Sequence, residues 1–141
     1  MSTNNTSDFA FPVRVYYEDT DAGGVVFYAN YLKFFERART EWLRRLGFNQ
    51  SLLAQTEGII FVVVGTQVNY KSPARLDDLL TIQTKIKKIG NASIDFEQYC
   101  ERDGKILVNS NIQICCINLD TFKASPIPDS IRSILISAQD I

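Results

Sequence analysis

Two aspartates two positions apart, followed at once by a glycine pair, stand out in the run D19-T-D-A-G-G-V-V-F-Y28. The chain contains no histidine, which removes the Ser-His-Asp triad, the Cys-His dyad and every HExxH zinc site. It also lacks a GxxxxGK[ST] loop, and no GxGxxG follows the first strand-like run, so phosphate chemistry has no motif behind it. Asp19 and Asp21 have the spacing that opens a calcium loop, yet the twelfth position, counted from Asp19, is Asn30 rather than a bidentate glutamate. No metal and no cofactor are therefore assigned. Asp19 reads as a turn-shaping residue, because aspartate side chains bond readily to nearby backbone. Asp21 offers more. A carboxylate just before a helix, a glycine pair (Gly23, Gly24) that lets backbone approach a ligand, and unpaired amides carrying the positive end of the helix dipole together supply a nucleophile or base beside an electrophilic pocket. On the residues alone, a purely structural turn remains the simpler reading.

The elements that must position these groups follow from periodicity. After a flexible tail over residues 1–10, F11-P-V-R-V-Y-Y-E18 alternates, with Phe11, Val13, Val15 and Tyr17 on one side of a strand. Tyr31, Phe35, Ala38, Trp42 and Leu46 recur at helical spacing and predict a long helix of roughly 18 residues, near 27 Å, stopped by Gly47. N49–E57 reads as a short second helix. Strands are predicted over I59–Y70, L79–K88, S93–C100 and K105–I117, with Asp103-Gly104 as a hairpin turn between the last two. Pro126 and Pro128 precede a C-terminal helix over D129–I136. This order predicts one α+β domain over residues 11–141, a dominant helix on a five-stranded antiparallel sheet. Such a sheet leaves edges open, so self-association is expected.

The hydrophobic content of 45% and charged content of 22% fit one globular domain. A net charge of −1, from 15 basic and 16 acidic residues, gives no field of one sign to hold nucleic acid or an anionic membrane. No run approaches the roughly 18 apolar residues of a membrane span, and the N-terminus has no basic-then-apolar pattern, so a cytoplasmic location is expected. Cys100, Cys115 and Cys116 form no CxxC pair and read as small packing residues.

The segments V15-Y-Y-E-D-T-D-A-G-G-V-V-F-Y-A-N-Y-L-K-F-F-E-R-A-R-T-E-W-L-R45 and Y70-K-S-P-A-R-L-D-D-L-L-T-I82 resemble the YbgC-like and 4-hydroxybenzoyl-CoA thioesterase family, across roughly residues 11 to 135. That resemblance implies a hotdog fold, a long central helix wrapped by a five-stranded antiparallel sheet. It also implies a homodimer or homotetramer with sites at the subunit interface, and hydrolysis of an acyl-CoA thioester, with association to the Tol-Pal system. By position, Asp21 matches the catalytic aspartate and the Tyr28 amide the group that polarises the thioester carbonyl. Gly24, Val25 and Tyr31 fall where the substrate passes. Tyr16, Tyr17, Phe27 and Tyr28 surround the same place, where core and dimer contacts compete with an acyl pocket for them. Many YbgC-like members carry histidine where this chain has Tyr28, so any step assisted by that side chain is lost while the backbone donor survives. The basic cluster that the benzoyl-CoA branch offers to nucleotide phosphates falls near Gly90-Asn91-Ala92. Lys87 and Lys88, with Lys85, are the nearby substitutes, although outward lysines equally read as a solvated face.

An ordinary aspartate, with a pKa of about 3.9, is ionised at neutral pH and a poor proton acceptor, which favours direct attack through a mixed anhydride over activation of water. Glu36 approaches the same region but reads first as an ion-pair partner of Arg39 or Lys33. Arg37, Arg39, Arg44 and Arg45 read as a charged helix face. The non-catalytic alternative is a hotdog module that binds acyl-CoA or acyl carrier protein; it does not require Asp21, whereas the enzyme does.

Overall fold

The computed structural model describes residues 8–139. Five strands form a single antiparallel sheet in the order β1-β3-β4-β5-β2: β1 Asp8–Arg14, β2 Ile59–Tyr70, β3 Leu79–Ile89, β4 Ser93–Arg102 and β5 Lys105–Asn118. Three helices accompany them: α1 Asn30–Arg45, α2 Gln50–Thr56 and α3 Asp129–Gln139. The four later strands stand within two residues of their predicted limits, because β-branched alternation and the β4–β5 hairpin turn are local signals. At that turn both Asp103 and Gly104 have positive φ, 54° and 81°.

Two boundaries differ. Residues 8–10, expected in a flexible tail, are paired with Lys85, Thr84 and Gln83 and begin β1. Phe9 is buried there, its ring 6.2 Å from that of Trp42, so a helix residue distant in sequence recruits them. Residues 1–7, the rest of that expected tail, and residues 140 and 141 at the end of the expected domain lie outside the described residues. At the other end of β1, Tyr17 does not continue the strand. It enters a 3-10 turn over Tyr17–Asp19 and is 81% exposed.

The core is the apolar face of α1 against the sheet. Phe34, Phe35, Ala38 and Trp42 are almost fully buried among Leu80, Ile82, Ile94 and Phe96. The buried stripe is broader than the predicted one, adding Phe34, Leu43 and Arg39. Arg39, expected on the charged face, is only 7% exposed. Its guanidinium donates to Gln98 Oε1 at 2.8 Å, and Gln98 Nε2 donates in turn to Thr84 Oγ1 and the Phe35 carbonyl. Burial pulls the Arg39 guanidinium down to about 10. No ion pair joins Glu36 to Arg39 or Lys33; Glu36 Oε2 accepts from Thr40 instead, at 2.8 Å. Cys100 and Cys116 are buried packing groups as expected, and burial pushes their thiols up to about 12 and about 11, whereas Cys115 is only half-buried.

Candidate active site

The turn between β1 and α1 folds back on itself. Thr20 bridges Val26, Asp21 N–H donates to the Val25 carbonyl at 2.9 Å, and Gly24 N–H returns to the Asp21 carbonyl at 3.0 Å. Gly24 holds φ +80°, a conformation that a side chain would strain, so glycine at this corner sets the shape of the turn. Asp21 sits at the exposed tip. Its Oδ1 accepts from Gly23 N–H at 2.8 Å, and among the described residues its Oδ2 has no partner.

Asp19 has the structural task expected of it. Only 8% exposed, it accepts from Tyr16 N–H and from the Asn30 side-chain amide, each at 2.8 Å, and its carbonyl takes the Phe27 N–H at 3.0 Å. One buried residue thereby ties the segment after β1, the return arm of the turn and the first residue of α1 together, through its carboxylate and its backbone carbonyl.

Tyr28 lies two residues before α1 rather than on it. Ala29 occupies the cap position with helical dihedrals, makes no side-chain cap bond, and no acid lies in the first turn. The contrast with α2 is direct, since Asn49 there caps the helix by accepting Leu52 N–H at 2.8 Å. Around Tyr28, the Phe27 amide is used by Asp19 and the Asn30 amide by the Phe27 carbonyl. Among the described residues the N–H groups of Tyr28 and Ala29 donate to no protein acceptor. An uncapped helix start with free amides is an anion-stabilising place.

A cleft of about 270 Å³ opens beside this turn, lined by Val26, Tyr28, Tyr31, Tyr70, Lys71, Ser72 and Pro73. The aromatic rings form a cluster: Tyr70 meets Tyr28 edge-on at 6.2 Å and Tyr31 at 5.7 Å. Tyr31 is nearly fully buried, and its hydroxyl accepts Ala74 N–H at 3.0 Å while the Ala74 carbonyl accepts Val26 N–H at 2.8 Å. Burial, ahead of the opposing Ala74 bond, raises the Tyr31 phenol. The loop before β3 therefore braces the turn, and it is itself held by Asp78, which accepts from Arg75 N–H at 2.8 Å and from Arg102 at 2.7 Å.

Of the residues expected at the site, Tyr28 and Tyr31 line the cleft, and Asp21, Gly24 and Val25 form the adjoining turn, where Val25 bridges Arg75. Lys87 and Lys88 are not brought there. They line a separate groove of about 440 Å³ with Gly65, Thr66, Gln67, Asp95 and Asn111 among its walls. The Gly90–Ala92 turn carries no lysine; Arg132 of α3 reaches it and donates to the Gly90 and Asn91 carbonyls at 2.9 and 2.8 Å. Sequence reasoning missed Tyr70, Lys71, Ser72 and Pro73 as cleft residues. They are 42 or more positions from Tyr28, and no periodicity reports such a meeting.

A long helix on a five-stranded antiparallel sheet is the architecture of the hotdog fold. The thioesterase superfamily matches residues 23–108, and the chain belongs to it. It is 45% identical, over 89% of its length and 92% of the relative's, to an acyl-CoA thioesterase YbgC from Haemophilus influenzae. Among solved structures, a probable thioesterase from Bartonella henselae is 43% identical with a TM-score of 0.82, covering 86% of this chain and 99% of that one. A gentisyl-coenzyme A thioesterase is 31% identical with a TM-score of 0.80, covering 87% and 98%.

Proposed function

We propose that the chain hydrolyses acyl-CoA thioesters with Asp21 as the nucleophile and the Tyr28 amide as the oxyanion donor. The observation that carries this is the uncapped start of α1 with its free Tyr28 amide, in the same β1–α1 connection as a carboxylate with an unengaged oxygen. Asp21 Oδ2 attacks the thioester carbonyl carbon, and the oxygen, now negative, is held by the Tyr28 N–H and the helix dipole. Collapse expels the CoA thiolate and leaves a mixed anhydride. Water then cleaves the anhydride, releasing the acid and restoring the Asp21 carboxylate; the thiolate takes a proton from solvent. A backbone donor of this kind typically contributes about 2.7–4 kcal/mol to the transition state, and it does so whatever side chain residue 28 carries.

The aromatic walls of the cleft suit a planar acyl group, since ring pairs at these distances favour edge-on or offset contacts. Lys87 and Lys88 serve the nucleotide end of CoA in this reading only if a second copy brings their groove toward the cleft. An acyl carrier protein is the alternative carrier. A homodimer is part of the proposal. β2 is an edge strand of 12 residues with Val63, Val64 and Tyr70 about half exposed, which another strand would cover. A homotetramer would join two such pairs. Among the described residues no helix is long and apolar enough to cross a membrane. The cytoplasmic location and the Tol-Pal association belong to the same proposal and rest on the family resemblance.

Thiol release from a panel of short, long and aromatic acyl-CoAs tests the assignment. Asp21→Asn keeps the turn's acceptor and is expected to lose at least roughly 10²-fold in kcat, the lower end of what a positioned group contributes. An Asp21→Asn protein that works as well as the natural one overturns the role of Asp21. Release from no member of the panel by the natural protein sinks the enzyme reading and favours a binding module.

A further inference from the structure

Tyr28 is oddly placed for a residue whose amide must be held still. It is 63% exposed, its ring meets only those of Phe27 and Tyr70 among the described aromatic pairs, and it lies before the regular hydrogen-bond ladder of α1. Two hydrogen bonds to backbone carbonyls hold it. On its N-terminal side, the Phe27 carbonyl, which shares a peptide plane with the Tyr28 N–H, accepts the Asn30 N–H at 2.8 Å. On its C-terminal side, the Tyr70 hydroxyl donates to the Tyr28 carbonyl at 3.1 Å across 42 residues.

We propose that Tyr70 is a positioning residue for the oxyanion donor, its hydroxyl gripping the Tyr28 carbonyl and so fixing the direction of the Tyr28 N–H. The inference rests on the role given above to the Tyr28 amide. The two peptide units on either side of the Tyr28 Cα share only its φ and ψ. Holding the Phe27 carbonyl in one unit and the Tyr28 carbonyl in the next leaves the Tyr28 N–H little freedom to turn. Tyr70 can act as a fixed post because it is the last residue of β2, in register with Val108 of β5. Its ring is held edge-on to Tyr28 and tilted against buried Tyr31. Burial, then the neighbouring Tyr28, pushes the Tyr70 phenol up, so the hydroxyl keeps the proton it donates. Tyr70 touches the backbone carbonyl of a residue whose own amide does the chemistry, so its effect belongs in turnover rather than in ground-state binding.

Tyr70→Phe removes one oxygen and keeps the ring. With the acyl-CoA that the natural protein turns over best, kcat is expected to fall about tenfold, less than the 10²–10³-fold that loss of an oxyanion donor itself costs, with KM unchanged within about twofold. In the same variant the NMR order parameter of the Tyr28 N–H is expected to drop from the rigid value of about 0.85 toward 0.6, while those of Val26 and Asn69 stay put. An unchanged kcat with an unchanged Tyr28 order parameter overturns the proposal. So does a raised KM with kcat intact, which makes Tyr70 a substrate contact. Asp21→Asn measured alongside separates the two claims. If it retains full turnover, the catalytic reading of the turn fails, and the Tyr28 order parameter in Tyr70→Phe still decides whether the grip exists.

Discussion

Asp19 and Asp21 are the same residue type two positions apart, and the fold divides their labour by burial. Asp19 spends both carboxylate oxygens on Tyr16 and Asn30, whereas Asp21 keeps one oxygen open at an exposed tip. Replacing Asp19 by alanine takes the acceptor from the part-buried Tyr16 N–H bond and frees the Asn30 side chain. The expected loss is about 2–3 kcal/mol of stability, since each is a bond to a charged acceptor, and urea denaturation measures it directly. Turnover should also fall in Asp19→Ala, because the Phe27 amide and the start of α1 hang on that residue's position. The turn chemistry of both aspartates was legible in the sequence. That Arg39 is buried was not: on a helix rich in arginine only its meeting with Gln98, 59 positions away, distinguishes it from its solvated neighbours.

At the scale of elements, the loop before β3 is what holds the site turn. Val26 and Val25 are pinned by Ala74 and Arg75, and Asp78 pins that loop to Arg102 at the end of β4. Burial alone would raise the Asp78 carboxyl, yet the bonds from Arg75 N–H and Arg102, with the charges of both arginines, together hold it below its ordinary value of 3.8. A carboxyl depressed in the folded state stabilises the fold above its unfolded pKa and loses that contribution as pH falls through the folded one. The natural protein should therefore lose stability below about pH 4 more steeply than Asp78→Asn. Urea midpoints at pH 6 and pH 3 for the two proteins check this, and equal losses would remove Asp78 from the account of acid unfolding. The strands, α1 and the β4–β5 turn were readable because each is written in a local period or a turn dipeptide. The extension of β1 back to Asp8 was not, since it depends on Phe9 finding Trp42.

For the whole molecule, the two edges of the sheet differ in what they offer a neighbouring chain. β1 carries Pro12, which has no amide to offer a neighbouring chain, while β2 offers a long strand whose middle is exposed. If a second copy pairs along β2, as proposed, then Val64→Lys places a charge at a residue that is 55% exposed here and covered in the pair. That variant is expected to sediment as a monomer and to lose thiol release together with the partner. A dimer that persists in Val64→Lys moves the interface elsewhere.

By itself, the sequence determined the α+β class, the limits of most elements, the absence of histidine chemistry and the turn on which Asp21 stands. Each of these is a matter of composition, of a period of two or 3.6, or of residues adjacent along the chain. Tertiary structure alone decided which amides stay free at the start of α1 and that Tyr70 and the Lys71–Pro73 segment wall the cleft. It also decided that Lys87 and Lys88 face a different groove. These depend on strand order and on hydrogen bonds spanning tens of residues: β3, β4 and β5 follow one another through short turns, whereas the pairing of β1 with β3 and of β2 with β5 joins segments far apart in the chain, which no local pattern reports.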